Sequence, residues 1–523
     1  MNTTEILTTI LIVLFFGLMI GVGFWCRKQA KDVDGFVLGG RSVGPWLTAF
    51  AFGTSYFSAV IFVGYAGQFG FNFGIASTWI GLGNAFIGSL LAWNILGRRT
   101  RLMTQHIDSR TMPDFFEKRY GSKALKIAAS AIVFVFLIPY TASLYNGLSS
   151  LFAISFDIPY WVCIVVMAAL TGVYVIFGGY MATAVNDFIQ GIIMLIGIVA
   201  VIVSVLSVNG GFTESIKALA TSPNGGWEYT SFFGPDPISL LMVVLLTSLG
   251  TWGLPQMVGK FYAIQNEGMI KKGTLISTVF AIIVAGGCYF LGGFGRLFVS
   301  ADSVAKNGFD SIVPTMISGL SPIIVSVVIV LVLSASMSTL SSLVLTSAST
   351  LTLDIILPLT KRQDEKKKLL ILRLLIVFFI ALSAVIAILK DTVWSGFVFI
   401  AQMMGVSWGA LAGAFLAPFL YGLYWKKASR PAVWASFGFG VGLMLLQLTV
   451  SMKLFSFGGI LGFVFKNSLY SGVFAMLGGL VIVPIVSIFT KEACPENTEE
   501  IFSCYNTKVV VPAVSALDSE TTD

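Results

Sequence analysis

The sequence predicts an all-α polytopic membrane protein built on a five-plus-five inverted repeat, and three observations lead there. The first is composition: of 523 residues, 56% are hydrophobic and only 11% charged, with mean hydropathy +0.89. Apolar runs of that extent can cross a hydrocarbon core of about 30 Å many times. The second is a pair of apolar spans interrupted by glycine and proline at matching places in two runs of helices. The third is Ser334 to Thr350 (SASMSTLSSLVLTSAST), where ten of seventeen residues carry hydroxyls directly after the apolar run 322–333 (PIIVSVVIVLVL).

Taken in order, the apolar runs predict thirteen spans. They lie near 6–26, 45–71, 74–97, 127–155, 159–179, 182–207, 237–262, 273–299, 322–357, 369–389, 392–424, 431–452 and 467–490. With the N-terminus outside, the outer side holds Lys217, Arg296, Lys306, Lys390, Lys453 and Lys466, and the other 26 of the 32 basic residues face inward. That asymmetry fits the positive-inside rule, explains a net charge of +7 without nucleic acid, and puts the C-terminus in the cytoplasm. MNTTE lacks the basic region and cleavage site of a signal peptide, so the run to Cys26 is expected to stay as a helix. Residues 491–523 are polar and rich in Thr, Ser and Glu, which predicts a mostly disordered cytoplasmic tail. The cysteines at 26, 163, 288, 494 and 504 show neither metal-site spacing nor a disulfide framework.

The two broken spans organise the rest. Residues 48–71 (TAFAFGTSYFSAVIFVGYAGQFGF) carry glycines at 53, 64, 67 and 70, and residues 247–260 (TSLGTWGLPQMVGK) gather Gly250, Gly253 and Pro255 in mid-span. One opens a run of five helices over 45–207, the other a second run over 237–424, separated by an outer loop at 208–236. An odd number of helices per run makes the second enter from the opposite side, the mark of an inverted repeat with binding sites where broken helices expose backbone. Segment 1–44 adds one helix with its inner loop before the repeats, and 425–490 adds two after them.

A hydroxyl-rich stretch inside a membrane span has two physical explanations. Small Ser and Thr side chains let helices approach closely and bond back to the preceding turn. Alternatively, their neutral oxygens coordinate a hard cation without a carboxylate. Asp187 lies inside the sixth span, either hydrated near the interface or marking an ion route. Enzyme signatures are lacking: there is no HExxH and no GxSxG, the only histidine is His106 in an inner loop, and GFGVG at 438–442 lies in an apolar span where it reads as helix packing. The tail is too short for a kinase-like signalling module, which weighs against a nutrient sensor.

Five local motifs, in order and in matching topological positions, resemble the sodium:solute symporter family. They are FVLGGRSVGPW (36–46), TMPDFFEKRYGS (111–122), FGGYMATAVNDFIQ (177–190), SMSTLSS (336–342) and PFLYGLYWKKASRP (418–431), so the resemblance covers about Phe36 to Trp434. It implies the fold of the bacterial leucine transporter and a sodium-coupled symporter, working as a monomer, that imports a small organic solute. Amino acid or monocarboxylate is the expected solute, with sugar or a pantothenate-like vitamin as alternatives. The resemblance also implies a sodium site made by the backbone carbonyls of Thr54, Phe57 and Ala335 with the hydroxyls of Ser338 and Thr339; positions 335, 338 and 339 share one helical face. In some members the residue matching Asp187 joins two serines, here Ser341 and Ser342, in a second sodium site; otherwise it serves the exit path. Arg41 matches a family inner gate or is one more inward-facing charge. Solute-site candidates by position are Ser55, Tyr56, Ser58, Tyr140, Thr247, Thr251, Trp252 and Gln402. Proline-transporting members carry an aromatic pair where this chain has Thr247 and Thr251, with Trp252 displaced by one, which weighs against proline itself.

Overall fold

Backbone that crosses hydrocarbon must satisfy its own hydrogen bonds, and this chain does so with helices. The computed structural model describes residues 3–156, 159–360, 364–393, 400–495 and 497–506. Among these, every regular element is helical apart from one parallel bridge between Val43 and Ile264.

Ten helical runs are long and apolar enough to cross a membrane, and the bent pair Pro237–Gly253 with Pro255–Ala263 makes an eleventh, with 47° between its halves. This count is lower than the thirteen separate spans expected, for a structural reason. The expected spans 159–179 and 182–207 form one run, Tyr160–Val208, bent at Gly179, whose φ of 55° and ψ of −146° depart from helix. A Cβ at Gly179 would also meet the Phe36 carbonyl oxygen at 2.7 Å, so only glycine fits. The expected span 74–97 likewise runs on from the end of the first broken helix, as Val60–His106. Part of the expected span 392–424 lies outside the described residues; its helix is seen from Ile400 to Tyr424.

Both broken helices are broken, but not quite where the glycines suggest. The first runs Pro45–Thr54, loses helical structure over residues 55–58, and resumes with a wide turn at Val60–Tyr65 and helix at Ala66–Phe73. Gly53, expected at the interruption, lies inside the helix; a Cβ there would sit 2.5 Å from the Phe280 ring, so its role is close packing. The second runs Pro237–Leu249, tightens into a single 3₁₀ turn at Gly250–Gly253, becomes extended at Leu254 (φ −86°, ψ 120°), and restarts as Pro255–Ala263. Pro255 takes the first helical position, where its missing N–H costs no bond.

The hydroxyl-rich stretch lies in an unbroken helix, Pro322–Thr350, that packs against Tyr160–Val208, Lys123–Phe156 and Thr3–Cys26. Arg119 is fully buried and donates to the carbonyls of Gly422 at 2.9 Å and Trp425 at 3.0 Å. A guanidinium thus satisfies the orphan carbonyls at the C-terminus of Ile400–Tyr424, which ties two of the sequence motifs together.

Part of the segment expected to be mostly disordered is ordered: Thr498–Ser503 is helical and buries Ile501 and Phe502. Arg119 lies 5.0 Å from the Phe502 ring and Arg99 4.5 Å from the Tyr505 ring. Two aromatics and an isoleucine within a polar segment suffice to hold it down, a signal that average composition hides. Residues 507–523 lie outside the described residues.

Candidate ion and solute site

The break after Thr54 releases carbonyls that a continuous helix would use. Two of them, on Thr54 and Phe57, meet the hydroxyl helix. Ser338 Oγ lies 3.2 Å from the Thr54 oxygen and 3.1 Å from that of Ala335. Thr339 Oγ1 lies 3.1 Å from the Thr54 oxygen, 3.3 Å from that of Phe57 and 3.1 Å from that of Ala335. All five expected sodium ligands therefore converge, and Thr54, Ala335, Ser338 and Thr339 have no exposed surface. In this structure the two hydroxyls donate to the three carbonyls, so five neutral oxygens lie within hydrogen-bond reach of one another.

Elsewhere along the stretch the packing explanation holds. Ser336 donates to its own helix at the Val332 carbonyl (2.7 Å), and Ser341 to the Ser338 carbonyl (2.9 Å). Ser338 and Thr339 also bond their own helix, at the Ala335 carbonyl, but they alone of these four reach the carbonyls freed by the break as well.

Beside the five oxygens lies a group that sequence reading missed. Lys260 was counted with the inward-facing loop charges, but it sits in Pro255–Ala263 and is 3% exposed. Its ammonium donates to Ser342 Oγ at 3.0 Å and pairs with the Asp187 carboxylate at 3.6 Å. Ser342 Oγ is in turn 2.8 Å from Ser55 Oγ, at the break of the first helix. Asp187 is fully buried. Lys260 was legible in principle: a basic residue between VG and FYA, with one acidic residue in the sixth span to balance it, is the pairing expected of intramembrane charge.

The solute candidates divide. Tyr56, Ser58 and Tyr140 are buried, and their hydroxyls hold no hydrogen bond among the described residues, although Tyr140 neighbours Ser58 and Trp408. The hydroxyl of Tyr289 and the amide nitrogen of Asn84, which sequence reading did not single out, are also buried and unpartnered, with Tyr289 near Asn84 and Tyr56. Unpartnered buried polar atoms are costly and rare, and several together mark a place for a ligand. Ser55 joins this region through its bond to Ser342. On the second broken helix Thr247 bonds the Val243 carbonyl at 2.9 Å, Thr251 that of Ser248 at 2.8 Å, and the Trp252 indole that of Ile87 at 3.0 Å. The Gln402 carbonyl accepts from Ser468 at 3.4 Å.

The segment before the first broken helix joins the end of the second. Val43 N–H donates to the Ala263 carbonyl (3.2 Å), and Gln265 N–H to that of Val43 (3.0 Å). Arg41, with φ of 54°, donates to the Ser109 carbonyl at 2.7 Å and lies 3.7 Å from the Asp108 carboxylate. Asp354, one turn past the hydroxyl helix and not noted from sequence, accepts from Thr111 at 2.7 Å. A cavity of about 50 Å³ is lined among others by Arg110, Gln256, Lys260, Ser342 and Ser349.

Paired broken helices within an all-helical bundle of membrane-spanning length are the architecture of a secondary transporter. The sodium:solute symporter family matches residues 36–438, and the chain belongs to that family. It is accordingly a multi-pass, sodium-coupled symporter that imports a small organic solute. Curated relatives include sodium/proline symporters of Staphylococcus aureus strains JH9 and NCTC 8325, each 28% identical over 492 residues and covering 93% of both chains. Among solved structures, a sodium-coupled sialic acid symporter in a substrate-bound outward-open state superposes with TM-score 0.72 at 17% identity, covering 92% of this chain and 98% of that one. The nucleobase-cation-symport-1 transporter Mhp1 gives 0.50 at 14%, covering 90% and 98%. At these identities the likeness speaks for the fold.

Proposed function

We propose that the coupling sodium ion binds the carbonyls of Thr54, Phe57 and Ala335 and the hydroxyls of Ser338 and Thr339. The observation that carries this reading is that both hydroxyls, from an unbroken helix, meet one carbonyl freed by the break in another. The solute lies against Ser55, Tyr56, Ser58 and Tyr140, with Asn84 and Tyr289 completing a polar, uncharged wall. A small amino acid or monocarboxylate suits it, since the nearby sodium supplies the counter-charge for one carboxylate. The relatives' name brings proline into consideration. Thr247 and Thr251, bonded to their own helix, offer no aromatic wall and weigh against it. A panel of amino acids, monocarboxylates, sugars and pantothenate, tested in proteoliposomes under an imposed inward sodium gradient, decides the class. Uptake of an amino acid or monocarboxylate that collapses with the gradient is expected; uptake of sugar alone would replace this reading.

In this reading the protein works as a monomer and crosses the membrane thirteen times. The runs Val60–His106 and Tyr160–Val208 each supply more than one pass, since a helix of 48 residues would reach roughly 70 Å. The N-terminus is then outside and residues 491–506 are cytoplasmic. A single cysteine at the exposed Lys366 is expected to react with an impermeant thiol reagent only from the cytoplasmic side. Labelling from outside intact cells would overturn the orientation.

Arg41 acts in this scheme as an inner gate, holding the segment before the first broken helix to Ser109. Arg41→Ala is expected to raise severalfold the labelling rate of a single cysteine at Gln256, on the wall of the inner cavity. An unchanged rate would leave Arg41 as one more inward-facing charge.

A further inference from the structure

Asp187 and Ser342 lie in one polar cluster with Lys260, and the lysine engages both. Its ammonium donates to Ser342 Oγ at 3.0 Å, and the same ammonium lies 3.6 Å from Asp187. The remaining contact of Ser342 is with Ser55 Oγ at 2.8 Å, while Ser341 directs its hydroxyl to the Ser338 carbonyl. Neither Asp187 oxygen holds a hydrogen bond among the described residues, so the pairing with Lys260 is what compensates its charge. Lys260 is equally confined: its side chain is 4% exposed, with the Tyr180 ring 5.2 Å from Nζ as its other polar neighbour.

One carboxylate buried in a low-dielectric surrounding neutralises one cation. A sodium ion placed between Asp187, Ser341 and Ser342 would bring a second positive charge beside the ammonium, with no further anion to balance it. We propose that Lys260 is a tethered cation that takes the position a second sodium ion would fill, so that this chain binds and transports one sodium ion per cycle. The charge arrives on the second half of the second broken helix (Pro255–Ala263) and is held by Ser342 on the hydroxyl helix and Asp187 on Tyr160–Val208. Three elements that must move relative to one another are therefore joined by an ion that does not leave. The inference rests on the sodium site proposed above but concerns a different set of oxygens.

The test needs no knowledge of the solute. Equilibrium binding of radioactive sodium to the purified full-length protein is expected to saturate at one ion per chain, with a Hill slope near 1. Lys260→Met, which keeps Asp187 and both serines, is expected to bind two. Lys260→Arg, which keeps the charge, and the double variant Lys260→Met with Asp187→Asn are each expected to bind one. Two ions on the wild-type protein overturn the inference and leave the five-oxygen site standing. One ion on Lys260→Met overturns it as well, because the lysine would then not be what excludes the second ion. No saturable sodium on the wild-type protein overturns the five-oxygen site and this inference together. If Lys260→Met cannot be purified, Lys260→Gln, which also removes the charge, carries the same expectation of two ions, and one ion on it overturns the inference.

Discussion

Replacing Ser338 and Thr339 together with alanine is expected to raise the sodium concentration for half-maximal uptake by at least tenfold. Each hydroxyl lost leaves the ion one oxygen short, and an unmet polar partner in a buried site costs about 1–3 kcal/mol. Since roughly 1.4 kcal/mol is tenfold in affinity, even the low end for two ligands exceeds that mark. Solute affinity should fall with it, because the effect of each ligand on the other is reciprocal. Helix packing makes a different forecast: Ser to Ala barely alters volume, so sodium dependence would stay where it was. Ser336 is the internal control, since its hydroxyl bonds the Val332 carbonyl of its own helix. Ser334, buried and off the 335/338/339 face, is a second control. Sodium titrations of uptake for the double variant and for each control separate the two. Equal effects at all four positions, or none at Ser338 and Thr339, would remove the site.

The second large effect concerns stability. Asp187→Asn keeps the shape of the side chain but leaves the Lys260 ammonium buried without its partner. Breaking a buried pair by removing one member costs about 3–5 kcal/mol, much of it the penalty of stranding the other charge. The variant should show a lower unfolding midpoint in detergent and lower abundance in the membrane. Removing both charges, as Asp187→Asn with Lys260→Met, should recover much of that loss, because an uncharged pair of similar volume strands nothing. A thermal unfolding series of wild type, single and double variants measures the coupling. Additive losses would mean that the 3.6 Å pair contributes little, and that each residue matters only through its packing.

How far the sequence could lead is seen by comparing two lysine readings with two hydroxyl readings. Ser338 and Thr339 were legible because resemblance to a known family named their partners and because i, i+3 and i+4 spacing puts Ala335 with them on one face. Lys366 was legible as an exposed charge. Lys260 was harder to place, since it lies at the border of an apolar segment and a loop and counts equally well toward either, although one acidic residue in the sixth span offered it a partner. What the side chains of Thr251 and Trp252 touch was not legible: the Thr251 hydroxyl bonds the Ser248 carbonyl one turn back, and the Trp252 indole the Ile87 carbonyl of another helix. Asn84 and Tyr289 carried only a faint signal, single polar side chains among glycines and apolar residues.

By itself the sequence determined the all-helical membrane class, the two places where helix must fail and the helix that carries the hydroxyls. Those follow from local properties: hydropathy over about 20 residues, proline without an N–H, glycine without a Cβ. Tertiary structure alone decided which of the ten hydroxyls between 334 and 350 reach the carbonyls freed by the break. It also decided that Gly53 serves packing rather than the break, that Thr498–Ser503 folds back under the bundle, and that Asp187 answers Lys260 across 73 residues of chain. Those are questions of which surfaces meet. A buried charge or hydroxyl takes its meaning from the partner within about 4 Å, and that partner is set by how helices distant in sequence cross.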